Sequence, residues 1–149
     1  MTVRVVFSRR HHIGTVLLRA FLWSRWSHCA IVDADEVVEA TAMHGVQCRP
    51  LAALLAESSE YEIVEFPARD PAKVIAAARA QIGAGYDWLG VLGIGFRRRW
   101  QGADTWFCSE LVAHAFHAAG EPLVRVDAWR ITPRDLYLPT YFNNRGPHA

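Results

Sequence analysis

The fifteen residues from Ser27 to Thr41, SHCAIVDADEVVEAT, contain two β-rich runs separated by a short acidic link. The first run is His28–Asp33 and the second is Glu36–Thr41. Two β-rich runs around an Asp-containing link predict an antiparallel hairpin. The segments on either side of this hairpin complete the predicted fold.

Further strands and helices are predicted from periodicity and from capping residues. The additional strands are Thr2–Phe7, Val46–Arg49 and Tyr61–Phe66. The helices are Ile13–Phe21, Pro50–Ala56, one opened by Asp70-Pro71 and ended by Gly83, one capped by Asp104 or Thr105 that runs to Ala119, and a last one starting at Thr132. This order predicts an α+β fold, in which a small antiparallel sheet curls toward a barrel and the helix ending at Ala119 packs across it.

The composition indicates one globular domain over residues 1–149, with a mobile tail from about Asn143. The chain has 149 residues, of which 52% are hydrophobic and 21% charged, so extensive disorder is excluded. Sixteen Lys and Arg face fifteen Asp and Glu, for a net charge of +1. This balance argues against a general nucleic-acid binder, and the run Arg97–Arg99 is interpreted as a solvated turn.

Cysteine usage and hydropathy predict the compartment. Three cysteines cannot form a dense disulfide framework, so free thiols in a reducing compartment are expected. No apolar run reaches the roughly 18 residues that span a bilayer. The segment Ile13–Trp23 superficially resembles a signal sequence, but Arg19 interrupts it and no small-x-small cleavage site follows. We therefore expect a cytoplasmic protein without an integral membrane segment.

Cys108 is the candidate nucleophile, because it lies about one turn into the helix that runs to Ala119. Free N–H groups and the helix dipole favour a thiolate near a helix N-terminus. Leu111, Val112 and Ala115 share its helix face, so the thiol is expected to point toward the interior or a cleft. A buried core cysteine is the competing interpretation.

His28 and Glu39 are candidates for the base and its orienting group. An imidazole at the start of a buried strand can take a proton from a thiol on a helix packed against the sheet. Glu39 on the returning strand can hold the far ring nitrogen. If Asp33-Ala34 is a two-residue turn, His28 lies across from Glu39, whereas a three-residue turn puts Cys29 there. Thr41 and His44 are the substitutes for Glu39.

Several motifs together resemble a known enzyme family. They are Ser27–Val32, Val38–Ala40 followed by Gly45-Val46, Gly85–Trp88, and Phe107–Val112. In this order they resemble the circularly permuted branch of the NlpC/P60 cysteine peptidase superfamily, the YiiX/YaeF-like papain-fold amidases. Lecithin retinol acyltransferase-like enzymes are more distantly similar. The resemblance extends from about residue 20 to residue 120.

The resemblance implies a circularly permuted papain-like fold in which the catalytic His precedes the catalytic Cys. It implies catalytic roles for Cys108, His28 and Glu39, and it puts Tyr86 near the nucleophile. The Tyr86 hydroxyl could then donate to an oxyanion, or could simply be satisfied beneath a loop. Cys29 departs from the family, where an aliphatic residue is more usual. A second thiol there either interferes with the base or packs on the other strand face.

The predicted activity is hydrolysis of an amide bond in a small peptide or acyl substrate, without a cofactor. The alternatives are an acyltransferase or thioesterase acting on lipid acyl groups, and a catalytically degenerate binding module. A zinc site built from His28, Cys29, His44 and Cys48 is disfavoured, because it lacks a Cys-x-x-Cys knuckle and adjacent strand residues point to opposite faces.

Overall fold

The structure is a computed structural model that describes residues 1–9, 25–86, 105–123 and 131–143. Its strands are β1 (Thr2–Arg9), β2 (His28–Asp33), β3 (Glu36–Thr41), β4 (Gly45–Pro50), β5 (Glu60–Pro67), β6 (Gly85–Tyr86) and β7 (Thr105–Trp106). Its helices are α1 (Leu51–Ala56), α2 (Pro71–Arg79), α3 (Cys108–Ala118) and α4 (Pro133–Asn143). The predictions for Ile13–Phe21, for the loop after Tyr86, for Arg97–Arg99 and for the tail beyond Asn143 lie outside the described residues.

The main sheet has five strands in the order β4-β3-β2-β1-β5, and every neighbouring pair is antiparallel. The small antiparallel sheet predicted from the sequence is therefore confirmed, with β1, β4 and β5 at the predicted places. A second, two-stranded sheet pairs β6 with β7 in parallel. No helix within the described ranges is long and apolar enough to cross a membrane.

The β2–β3 hairpin is confirmed, but neither predicted register is the observed one. Asp33 pairs with Glu36, so the two-residue turn is Ala34-Asp35, and Ala34 adopts a left-handed φ of 52°. The residue pairing of β2 with β3 extends to Ile31 and Val38, so His28 and Glu39 both lie beyond the paired part of the hairpin. Their side chains meet there, with His28 Nε2 2.6 Å from Glu39 Oε2.

The two faces of the sheet are covered by different helices. α3 packs across β2 and β3 and beside α2, as predicted for the helix that carries Cys108. Cys29, Ile31 and Val38 line this face and share one core with Cys108. The apolar cluster on the opposite face is smaller, and Leu54 from α1 packs into it. The sheet therefore holds the strand residues of the hairpin directly beneath the N-terminus of α3.

The start of α3 differs from the prediction. The helix begins at Cys108 and Phe107 is its N-cap, so neither Asp104 nor Thr105 caps it. Thr105 lies in β7, whose pairing with β6 keeps the chain extended up to the helix. Gly120 follows the helix with a φ of 79° and ends it as predicted. Cys108 is consequently the first helical residue instead of lying a turn inside.

The predicted boundaries of α2 are only partly correct. The Asp70 side chain accepts from the Lys73 N–H at 3.2 Å and Pro71 occupies the first position, as expected. The helix nevertheless ends at Arg79, with Ala80 as the C-cap, several residues before Gly83. Arg79 binds Asp33 at 2.8 Å and Glu36 at 2.7 Å, which links the end of α2 to the hairpin turn.

Gly45, the first residue of β4, is required by a close backbone contact. Its φ is +65°, and a Cβ atom there would lie 2.2 Å from the Ala84 carbonyl oxygen. That oxygen accepts the Val46 N–H at 2.8 Å, and the Val46 carbonyl accepts from the Gly83 N–H at 2.9 Å. The segment before β6 is thus hydrogen-bonded to β4, and only a glycine at position 45 leaves room for it.

Gly45→Ala is expected to lower the free energy of unfolding by about 3 kcal/mol, because left-handed strain adds to a backbone clash. Gly120→Ala is the matched control, since Gly120 has a similar φ of +79° but nothing within 4 Å of an added Cβ. The control should cost only about 1 kcal/mol. Urea unfolding of both variants checks this, and equal losses would show that the contact with Ala84 is unimportant.

Candidate active site

Cys108 lies at the N-terminus of α3 and is 1% exposed. Two neighbours hold this helix end in place. The Glu110 carboxylate accepts from the Phe107 N–H at 3.3 Å, and the Ser109 hydroxyl donates to the Ile131 carbonyl at 2.5 Å. Both side chains are buried, which agrees with structural roles. The Cys108 sulfur therefore sits at the positive end of a firmly anchored helix dipole.

His28, the first residue of β2, connects the helix to the sheet. Its Nε2–H donates to Glu39 Oε2 at 2.6 Å, and the residue as a whole is 8% exposed. The imidazole also hydrogen-bonds to Cys108. Because Nε2 is engaged by Glu39, Nδ1 is the ring nitrogen left to exchange a proton with Cys108. The three residues predicted as nucleophile, base and orienting group are thus brought together in one chain of contacts.

Glu39 is fully buried and is held from two strands. While Oε2 accepts from His28, Oε1 accepts from Gln47 Nε2 at 3.0 Å and lies 2.5 Å from Arg49 Nε. Gln47 and Arg49 were not predicted from the sequence as site residues. Their alternation along β4, with polar side chains every second residue, is the signal that could have identified them.

The charges of the site stabilise one another. Burial disfavours the imidazolium, but hydrogen bonds to Cys108 and Glu39 outweigh it and raise the pKa of His28 to about 9. Burial likewise opposes ionisation of Glu39, yet His28, with Gln47 and Arg49, lowers the pKa of that carboxyl to about 2. At neutral pH the pair is therefore an imidazolium and a carboxylate.

The Cys108 thiol is shifted in the same sense. Burial alone would raise its pKa, but hydrogen bonds from Cys29 and His28 and the imidazolium charge bring the pKa of Cys108 well below its ordinary value. Its position at the helix N-terminus acts in the same direction. A thiolate facing an imidazolium is the form in which a cysteine is nucleophilic at neutral pH.

Cys29 lies closer to the nucleophile than was expected. It is fully buried in the core beside Cys108, and its thiol hydrogen-bonds to the Cys108 sulfur. Burial and this contact raise the pKa of Cys29 well above its ordinary value. Cys29 thus stays a neutral thiol that donates to Cys108, and its side chain does not replace His28 as the partner of Glu39.

The other predicted site residues are placed elsewhere. Thr41 and His44 build the turn between β3 and β4, where the His44 N–H donates to the Thr41 hydroxyl at 3.2 Å. The Cys48 thiol donates to Glu36 at 3.3 Å. Tyr86 belongs to β6, but its side chain lies outside the described residues, so its proposed role stays a prediction. Among the described side chains, no three His, Cys, Asp or Glu are grouped to hold a metal ion.

Comparisons with known proteins agree with this fold. A solved structure described as metalloprotein YiiX from Escherichia coli O157:H7 superposes with a TM-score of 0.65 at 21% identity, covering 83% of this chain and 68% of that chain. This likeness supports the permuted papain-like fold. No curated protein shows significant sequence similarity. The wider NlpC/P60 and lecithin retinol acyltransferase relations stay predictions.

The family model for the permuted papain-like amidase enzymes, YaeF/YiiX, C92 family, matches residues 4–138. That range contains every strand and helix described above except the ends of β1 and α4. The C92 family is a family of cysteine peptidases and amidases. The chain therefore belongs to the C92 family of permuted papain-like amidases.

Proposed function

We propose that this protein is a cysteine hydrolase that cleaves an amide bond of a small peptide or acyl substrate. Cys108 is the nucleophile, His28 the acid–base group and Glu39 its orienting partner. One observation carries the proposal: a cysteine at the first position of α3 contacts an imidazole whose other nitrogen is bound at 2.6 Å to a buried carboxylate. A buried thiol and a buried imidazole whose pKa values are both shifted in this way are typical of a functional site.

Bond formation begins with attack of the Cys108 thiolate on the carbonyl carbon. The carbonyl π electrons move to oxygen, and backbone N–H groups at the N-terminus of α3 are suited to hold the resulting oxyanion. The tetrahedral intermediate collapses as the C–N bond breaks. His28 gives its Nδ1 proton to the departing amine, which leaves a neutral imidazole and a thioester on Cys108.

Hydrolysis of the thioester reverses the roles. Neutral His28 takes a proton from water while the oxygen attacks the thioester carbonyl, and the C–S bond then breaks. The acid is released, and the thiolate–imidazolium pair is restored. Throughout, Glu39 stays ionised and keeps the Nε2–H of His28 in place, so that Nδ1 always faces the sulfur.

The similar YiiX structure is described as a metalloprotein, which raises the question of a metal here. Within the described residues the donor side chains do not form a group of three suited to a metal ion. The thiolate of Cys108 is instead matched by a hydrogen-bonded imidazolium. The residues described here do not fit a metal site, and no step of the proposed mechanism passes through a metal.

Trapping of the acyl-enzyme tests the proposal. The wild-type protein is mixed with a panel of N-acyl amides and activated acyl esters, quenched in acid and digested, and the Cys108 peptide is measured by mass spectrometry. We expect an added acyl mass on that peptide, which hydroxylamine removes because thioesters are cleaved by it. Transfer of the acyl group to an added alcohol or amine in preference to water would favour the acyltransferase alternative. If Cys108 is reactive toward iodoacetamide but forms no acyl adduct with any compound of the panel, hydrolysis of these amides and esters is contradicted.

A further inference from the structure

The two oxygens of the Glu39 carboxylate have different partners. Oε2 accepts from His28 at 2.6 Å, whereas Oε1 accepts from Gln47 Nε2 at 3.0 Å and forms an ion pair with Arg49 Nε at 2.5 Å, both on β4. The carboxylate is fully buried, so water cannot replace these partners when one is lost. The His28 contact and the β4 contacts thus occupy opposite ends of one charged group.

Sheet register explains how β4 reaches this group. Gln47 is paired directly with Glu39, and Arg49 lies two residues further along β4. The pleat therefore turns all three side chains to the same face. Direct opposition suits the shorter amide of Gln47, and the longer guanidinium of Arg49 covers the diagonal distance.

Arg49 is itself fixed from its far side. Its Nη1 donates to Glu57 at 3.0 Å, and Glu57 follows α1 as the C-cap residue. The Arg49 side chain is only 17% exposed. A guanidinium clamped between two carboxylates loses less freedom on binding Glu39 than a free surface arginine would. The clamp connects the site to the end of α1.

The terminal torsion of a glutamate is soft, so a carboxylate held by one oxygen alone can rotate away from its partner. We infer that Gln47 and Arg49 are positioning residues for the catalytic pair, holding Oε1 of Glu39 so that Oε2 stays directed at His28. This inference rests on the proposed function of Cys108, His28 and Glu39. It adds two β4 residues that touch neither the nucleophile nor the reacting atoms.

Alkylation of Cys108 by iodoacetamide at pH 6.5, read by mass spectrometry, tests the inference without a known substrate. Arg49→Met should slow alkylation about tenfold, because the buried Glu39 carboxylate loses its ion-pair partner. Gln47→Leu, which removes the neutral amide donor, should slow it about threefold. Arg49→Lys should keep most of the wild-type rate. Arg79→Met is the matched control, since Arg79 also binds two carboxylates but lies at the hairpin turn.

A second readout separates positioning from general destabilisation. The His28 ring N–H bound to Glu39 should give a far-downfield proton resonance in wild type and in Arg79→Met. In Arg49→Met and Gln47→Leu this resonance should move upfield or broaden, while the thermal unfolding midpoints of Gln47→Leu and Arg79→Met stay similar. If Arg49→Met does not fold, Gln47→Leu and Arg49→Lys decide the question.

The outcomes distinguish this inference from the proposed function. If wild-type Cys108 shows an ordinary thiol titration, the proposed function fails first. If wild-type Cys108 is reactive at pH 6.5 but the Arg49 and Gln47 variants match Arg79→Met in rate and resonance, only the positioning roles are overturned.

Discussion

Cys108→Ala should reduce hydrolysis of an amide substrate identified by acyl-enzyme trapping by about 10⁴-fold or more. Loss of a nucleophile from a catalytic unit removes the covalent route, and single replacements of such residues have effects of that order. The fold should survive, since the change removes one sulfur atom from a site anchored independently through Ser109 and Glu110. Steady-state kinetics and the thermal unfolding midpoint measure the two quantities.

Cys48→Ala is the matched control for this prediction. Cys48 is also a free cysteine, but its thiol binds Glu36 on the neighbouring strand. Its replacement alters a half-buried thiol that is bound to Glu36 and not to the proposed catalytic residues, so turnover should stay within about twofold of wild type. Persistent turnover in Cys108→Ala, together with loss in Cys48→Ala, would move the nucleophile away from α3 and overturn the mechanism.

His28→Gln should slow alkylation of Cys108 by iodoacetamide about a hundredfold at pH 6.5. The hydrogen bond from Cys29 and the hydrogen bond and charge of the His28 imidazolium together outweigh the burial of the thiol, so without His28 the pKa of Cys108 should rise toward an ordinary value. A thiol with a pKa near 8.5 is only about 1% thiolate at pH 6.5, whereas the wild-type site should be almost fully ionised. Rates measured by mass spectrometry from pH 5 to pH 10 test this.

His44→Gln is the control, because His44 is a histidine of the adjacent turn that the sequence also offered as a site residue. Its alkylation profile should match wild type. Identical profiles for wild type and His28→Gln would show that His28 does not activate Cys108. The proposed mechanism would then have no general base, and a binding module would become the better interpretation.

The same charge pair predicts the alkaline limit of hydrolysis. The pKa of His28 is raised to about 9, so the imidazolium that protonates the leaving group persists through neutral pH and is lost as the pH rises through that value. Hydrolysis should therefore fall above about pH 9 while the thiolate remains available for alkylation.

Residue type and local sequence pattern were enough to predict much of the fold and the main site candidates. The hairpin followed from two β-rich runs, and Gly120 marked the end of α3. The sequence also singled out Cys108, His28 and Glu39 as candidates. Each of these inferences depends on neighbours within a few residues, where propensity and alternation act directly.

The register of the β2–β3 hairpin and the first residue of α3 could not be predicted from local sequence pattern. A turn of Ala34-Asp35 instead of Asp33-Ala34 preserves the face of every side chain, so the apolar pattern does not distinguish the two. The helix starts at Cys108 because β7 pairs with β6, about twenty residues earlier in the chain. Competition between a strand pair and a helix cap is decided by that non-local contact.

By itself, the sequence determined which residues could do thiol chemistry and which strands and helices would carry them, because those properties are local. The tertiary structure alone decided that Glu39 stays ionised in a fully buried position, with Gln47 and Arg49 on one oxygen and His28 on the other. It also put Cys29 against the Cys108 sulfur. Charge states and donor–acceptor pairs depend on distances and burial across strands, and these exist only once the chain has folded.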